Sequence, residues 1–296
     1  MNFFSALLYY VFLVPLSLLP EGLLYAFSDF LYFIFYHVIG YRKKVVISNL
    51  KKSFPEKTDA EIKQITKKFY RHFCDIFLEG IKTFTASEKY ITDRVKVIHG
   101  GLLENYYRQN RSVILATGHY ANWEWPALAF IRHSSHHALG IYKPINNKFF
   151  DSKLQQTRSK FGLTLMAIRE VGNYFEKHKS LPCSYGFIFD QSPSNPEKGH
   201  WVTFLNQDTV VLTGVERYAR QYDFPVIYGK ITKLKRGRYQ IEYELVTDTP
   251  AQTQPGEITE AIMRINERLI LGAPQFYLWT HRRWKHQRKP GSVSVR

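Results

Sequence analysis

The stretch Ser112-Val113-Ile114-Leu115-Ala116-Thr117-Gly118-His119-Tyr120-Ala121-Asn122-Trp123-Glu124-Trp125 decides the reading of this chain. Residues 112–116 form a short apolar run, read as a buried strand. A helix is expected over 122–132, with Asn122 as its N-cap candidate. The strand thus delivers His119 to a turn at its carboxyl end, the edge where open α/β sheets bind ligands. Glu124 follows five positions later. On a continuous helix such positions point apart, because neighbours lie three or four apart. The two side chains meet only if His119 precedes the helix and Glu124 sits in its first turn. A histidine held by a carboxylate is a general base for a hydroxyl group. The plain alternative is a packed histidine and a glutamate that complements the helix dipole. By itself the His-x4-Glu spacing does not separate the two.

Working outward, short strands alternate with helices. Residues 138–142, 163–168 and 184–189 read as further strands, with helices at 147–161 and 171–179. That rhythm predicts an α/β fold with a mixed, largely parallel sheet flanked by helices. After a helix ending near Tyr222, residues 225–234 and 239–246 read as a hairpin around Lys235-Arg236-Gly237-Arg238, and a last helix covers 258–271. Upstream, Ile62, Ile65, Phe69, Phe73, Ile76, Phe77 and Ile81 recur at helical spacing over 59–82. This amphipathic helix is read as core packing in preference to a surface resting on lipid headgroups.

The N-terminal region is apolar. Residues 3–19 are uncharged and broken only by Pro15; residues 22–39 are interrupted only by Asp29. As a helix each run spans roughly 25 Å, close to the hydrocarbon thickness of a bilayer. A secretory signal is disfavoured, because no basic residue precedes the run and no small-residue cleavage site follows it. Arg42-Lys43-Lys44 and Lys51-Lys52 come next, which by the positive-inside rule puts the remainder on the cytoplasmic side. We expect residues 1–40 to be a membrane anchor, either one uncleaved helix or a hairpin partly in the interface. Residues 41–296 then form the functional domain.

A formal charge of +16 in 296 residues calls for an anionic partner: nucleic acid, an acidic membrane, phosphorylated lipid or an acidic carrier protein. The 22 Phe and 20 Tyr favour membrane association. Cys74 and Cys183 make neither a disulfide framework nor a zinc set and read as buried packing residues. There is no Gly-x-Ser-x-Gly elbow, no P-loop and no dinucleotide glycine fingerprint. His133, His136 and His137 read as a solvated loop and not as a metal site. Tyr142-Lys143-Pro144-Ile145-Asn146-Asn147, Arg158 and Asp190-Gln191-Ser192-Pro193-Ser194 each have a plain reading as turn, helix face or loop. All nevertheless fall with His119 on one predicted sheet edge, and that coincidence favours a site.

These residues resemble the late acyltransferases of lipid A biosynthesis, a branch of the lysophospholipid acyltransferase superfamily. The shared blocks are the apolar N-terminus, Asn49-Leu50 with Phe54-Pro55-Glu56, and the segment from Gly118 to Glu124. They continue through Tyr142-Lys143-Pro144 with Asn147, Arg158, Asp190-Gln191 and Thr213-Gly214-Val215, and close with the run from Pro274 to Trp284. The glycerolipid branch carries Asp as the acidic partner and a Phe-Pro-Glu-Gly-Thr-Arg block. Glu124 and Phe189-Asp190-Gln191 here point to the lipid A branch instead.

The resemblance implies a membrane-associated acyltransferase of the cell inner membrane. It would move a fatty acyl group from a thioester, with acyl carrier protein as donor, to a hydroxyl of a lipid A precursor. His119 would be the base and Glu124 its orienter. Asn122, Tyr142, Lys143, Asn147, Arg158, Asp190 and Gln191 would bind substrate, with Asp190 organising that shell. No cofactor, metal ion or nucleic acid is implied. Within the enzyme class an aminolipid or lysophospholipid acceptor stays open. The charge alone also allows a non-catalytic, membrane-tethered binder of anionic lipid or nucleic acid.

Overall fold

The computed structural model describes residues 2–288, so the end of the expected functional domain, 289–296, lies outside the described residues. The strands are β1 (Val95–Ile98), β2 (Val113–Thr117), β3 (His137–Tyr142), β4 (Thr164–Ala167), β5 (Cys183–Ile188), β6 (Gly199–Phe204), β7 (Gln207–Leu212), β8 (Val226–Lys235) and β9 (Arg238–Thr247). Seven of them form one sheet in the order β1-β9-β8-β2-β5-β3-β4. Every pairing in it is parallel except the β8–β9 hairpin. The expected α/β architecture is therefore the observed one. Crossover helices such as Lys148–Ser159 and Val171–Lys177 return the chain between parallel strands, as parallel pairing requires.

Two parts of the sheet system were not anticipated. β1 has only four residues, too few to display a period. β6 and β7 form a separate antiparallel hairpin whose turn, Leu205-Asn206, has both residues at positive φ. The usual sequence marker of such a turn is Asn-Gly or Asp-Gly, which is missing here. The expected β8–β9 hairpin does form, with Gly237 at φ +68° in its turn. The three neighbouring histidines are only in part a solvated loop: His137 is exposed and His133 sits half-buried in a turn. His136 is buried and its Nε2 lies 3.0 Å from the Arg111 carbonyl, and His137 opens β3. Cys74 and Cys183 are free and buried, as expected.

The helix Asp59–Lys82 matches the periodicity read for 59–82 and starts with a capping box between Thr58 and Glu61. It packs on both sides. Ile62, Phe69 and Ile81 are buried, and so are Tyr70, His72, Asp75 and Glu79. The N-terminal region rests on it as two helical stretches, Phe3–Leu18 and Glu21–Val38, bent by 119°. The bend falls at Leu19-Pro20, where Leu19 takes the extended conformation that a following proline imposes. No single helix among the described residues is long and apolar enough to cross a membrane. Tyr25 donates to Glu79 at 2.8 Å, Ser28 to Asp75 at 2.8 Å, and Asn147 to Ser5 at 2.9 Å, so the bent pair is joined to the body of the protein. Its other side exposes Phe3, Phe4, Phe12, Phe30 and Phe33.

Candidate active site

Register places the central pair. Thr117 at the end of β2 is opposite Ile188 at the end of β5, in parallel pairing. Two residues further along each chain come His119 and Asp190, which leave the sheet side by side. The His119 backbone N–H donates to Asp190 Oδ2 at 2.9 Å, and His119 Nδ1 lies 2.6 Å from Oδ1. An ionised carboxylate is acceptor-only, so Nδ1 carries a proton, and in the neutral ring Nε2 is the nitrogen with the lone pair. Nε2 faces Gln191, whose amide nitrogen is 3.1 Å away. Trp123 closes one side, with its ring edge-on at 4.9 Å.

Asp190 is buried, with 2% exposure. Burial pushes its carboxyl up. The charge of His119, the two His119 hydrogen bonds and the Arg283 guanidinium outweigh that and hold it below the usual aspartate value. The backbone is fitted to this turn. At Gly118 a Cβ would come within 2.6 Å of Asn266 Oδ1, a fully buried side chain that accepts from Tyr228 at 3.0 Å.

The expected partnership of His119 with Glu124 is replaced by two pairs. Glu124 is held by Arg158, whose Nε donates at 3.0 Å and whose Nη2 donates to the other carboxylate oxygen. The reason is local. The helix begins only at Glu124 and runs to Ala129, while Asp190 already fills the position beside Nδ1. Burial works against the Arg158 charge, and Glu124 outweighs it and keeps the guanidinium protonated. Both side chains are about one-third exposed, and both line the same cavity as His119.

That cavity has a volume of about 350 Å³ and also meets Tyr142, Lys143 and Gln191. Its floor follows from strand register. Gly140 on β3 is opposite Gly186 on β5, Gly186 is opposite Leu115 on β2, and Gly229 on β8 is opposite Tyr243 on β9. These residues share one face of the sheet, because side chains alternate along a strand. Glycine inside a strand weakens it and marks a place where another group approaches closely. The roof includes Pro126 and Ala127 from the short helix, and Ile231 and Ile241 add apolar wall. The result is an apolar slot with polar groups gathered at the His119 end.

Two residues expected to bind substrate do other work. Asn122 is buried: its Oδ1 accepts from the backbone N–H of Glu124 and Trp125, both at 3.0 Å, and its Nδ2 donates to Glu79 at 2.7 Å. Asn147 caps the helix Lys148–Ser159 through Phe150 N–H at 3.2 Å. Neither lines the cavity. Both are the helix-capping type, and that was the available signal.

The sequence blocks that are far apart meet around this site. Tyr120 and Tyr277 form an antiparallel bridge, and Leu278 N–H donates to the His119 carbonyl at 3.2 Å. Asn49 donates to the carbonyls of Trp279 and His281 at 3.0 and 3.1 Å. Arg42 donates to the Thr280 carbonyl at 3.0 Å, so at least one residue of the basic cluster after the apolar runs has a structural partner.

The family model described as bacterial lipid A biosynthesis acyltransferase matches residues 2–286. The lipid A biosynthesis lauroyltransferase of Escherichia coli (strain K12) is 23% identical over 253 residues, covering 82% of this chain and 79% of that protein. With a match across nearly its whole length, the chain is an acyltransferase and belongs to the bacterial lipid A biosynthesis acyltransferase family.

Proposed function

We propose that this protein transfers a fatty acyl group from a thioester donor, acyl carrier protein in the first instance, to a hydroxyl of a lipid A precursor. The observation that carries the reading is the His119–Asp190 pair opening onto a glycine-floored apolar cavity. The cavity suits an acyl chain, and Nε2 is the free base at its polar end.

In this mechanism the acceptor hydroxyl displaces the Gln191 amide from His119 Nε2. Nε2 takes the hydroxyl proton as the oxygen attacks the thioester carbonyl. Asp190 holds the productive tautomer and stabilises the imidazolium that forms. The tetrahedral intermediate then collapses and the carbon–sulfur bond breaks. The departing thiolate recovers the proton from His119. No acyl-enzyme forms, so no nucleophilic serine or cysteine is required. Arg158, held by Glu124, and Lys143 present positive charge to the oxyanion or to an acceptor phosphate. The catalytic carboxylate expected at Glu124 is thereby assigned to Asp190, and Glu124 keeps a place in the site through Arg158.

Membrane association is part of the proposal. The bent N-terminal pair presents a row of exposed aromatic and aliphatic side chains on the side away from the protein body. The basic residues after it support seating at the inner membrane with the catalytic body on the cytoplasmic side.

The test is an in-vitro transfer assay with acyl-carrier and acyl-coenzyme A donors against lipid A precursors, lysophospholipids and aminolipids. Acylation of the lipid A precursor that is lost in His119→Ala supports the proposal. Transfer only to a lysophospholipid or aminolipid would move the acceptor assignment, and full activity of His119→Ala would remove the mechanism. Co-sedimentation with lipid vesicles, weakened by replacing the exposed Phe12 and Phe30 with the uncharged Ser, tests the seating.

A further inference from the structure

The segment after the last helix touches both strands that carry the site. Leu278 N–H donates to the His119 carbonyl at 3.2 Å, and Ala121 N–H donates to the Phe276 carbonyl at 2.9 Å. On the other side, Ser192 N–H donates to His281 Nε2 at 3.0 Å, and His286 Nε2 lies 2.9 Å from the Pro193 carbonyl. One segment thus ties the turn after β2 to the turn after β5, and these are the two turns that bring His119 and Asp190 together.

Arg283 lies inside this tie with 2% exposure. Its Nη1 donates to the Val210 carbonyl at 2.8 Å, and the rest of the guanidinium lies against the Tyr277 hydroxyl, which in turn reaches Asp190. Buried charges are ordinarily paired, because an unpaired one is costly. Its charge acts on the Asp190 carboxylate and the Tyr277 hydroxyl. The groups acting on Asp190 come from every neighbouring element: His119 after β2, Tyr228 on β8, and Tyr277, His281 and Arg283 from the C-terminal segment.

We propose that His281 and Arg283 are positioning residues for acyl transfer: His281 fixes the loop that follows Asp190, and the buried Arg283, reaching Asp190 by way of Tyr277, steadies the carboxylate that orients His119. The proposal rests on the His119–Asp190 reading above. Ser192 N–H donates to His281 Nε2, so this imidazole works as a neutral acceptor. A glutamine carbonyl oxygen can take the same hydrogen bond, and an alanine cannot.

The Arg283 contribution has a sign. Removing a positive charge beside the pair makes an anion harder to form and a cation easier to form. Both changes keep the pair protonated to higher pH, so the acid limb of the rate profile moves up.

The experiment is a pH–rate profile of acyl transfer by the full-length protein, measured for the wild type and for H281A, H281Q, R283M, R283K and H119A. Thermal melts report folding for each. We expect R283M to move the acid limb of kcat/KM upward by about one pH unit, and R283K, which keeps the charge, to leave the limb near its original position. We expect H281A to lower kcat about tenfold with little change in KM, and H281Q to recover most of that loss. A limb in R283M that coincides with the wild type overturns the Arg283 assignment. H281A with wild-type kcat, or H281Q as impaired as H281A, overturns the His281 assignment. If R283M does not fold, a limb moved upward in R283K despite its retained charge overturns the Arg283 assignment. Loss of activity in H119A with none of these effects would overturn this proposal alone, whereas an active H119A would overturn the reading beneath it.

Discussion

Asp190 grips His119 twice, through the backbone N–H at 2.9 Å and through Nδ1 at 2.6 Å. The double contact fixes both the position of the residue and the tautomer of its ring. Asp190→Asn keeps the shape but can present an N–H to Nδ1, which would turn the ring's proton towards Nε2 and remove the base. We expect D190N to lose kcat by a factor of about 10²–10⁴, comparable to His119→Ala. Steady-state kinetics of acyl transfer with the donor the wild type uses decides it. A D190N enzyme within twofold of the wild type would show that this contact does not serve the chemistry.

Glu124 and Arg158 should behave as a unit. Each holds the other inside the cavity, so removing one leaves the partner half-buried and unpaired. We expect E124Q and R158M each to lower kcat/KM about tenfold, and the double variant to be little worse than either single one. Independent roles would instead make the two losses multiply. A double-mutant cycle on kcat/KM separates these outcomes, and melts of the same variants report the stability share.

Most of the sheet was legible because its strands are short, apolar and separated by helical patterns. The identity of the carboxylate beside His119 was not. It depends on the register of β2 against β5, and the strand ends read from sequence, Ala116 and Phe189, differ from the observed Thr117 and Ile188 by one residue in opposite directions. That two-residue relative error hides the equivalence of His119 and Asp190. Sequence proximity then favours Glu124, which is near in the chain but tied to Arg158 in space. Gly140, Gly186 and Gly229 were equally silent. Each looks like a weak point in its own strand, and only pairing shows that they adjoin one cavity. The resemblance carried the C-terminal block, yet nothing in its residues announced that it binds the turns after β2 and β5.

The glycine floor predicts which acyl chains fit. A Cβ at Gly186 would meet the Leu139 carbonyl at 3.3 Å, so a valine there must shift its neighbours slightly and fills space that is now open. We expect Gly186→Val to shift preference towards shorter acyl donors. Each methylene that no longer finds room forfeits about 0.8 kcal/mol, roughly fourfold in selectivity. Competition between donors of different length, read by mass spectrometry of the product, measures the shift. An unchanged length preference at reduced overall rate would place the acyl chain elsewhere.

Stability should fall as the solution is acidified, and buried histidines give the sign. His72 is held well below the ordinary histidine value by burial and by Lys233, whose Nζ is 3.3 Å away. Burial likewise lowers His136, and burial with the nearby Arg283 charge lowers His281 to about 4. In the unfolded chain each of these titrates near 6.5. Between about 6.5 and 4 the unfolded state therefore binds protons that folded His281 does not take up, and acid favours unfolding across that window. Above about 6.5 both states are neutral and the effect vanishes. Below about 4 the His281 contribution levels off, because the folded state is then protonated too. We expect urea-unfolding free energies to decline steadily from pH 7 to pH 5, with a shallower decline in H281Q, which has no proton to bind at that position. Equal slopes for H281Q and the wild type would mean that His281 takes up its proton in the folded protein as readily as in the unfolded chain, which would be incompatible with its Nε2 accepting from Ser192.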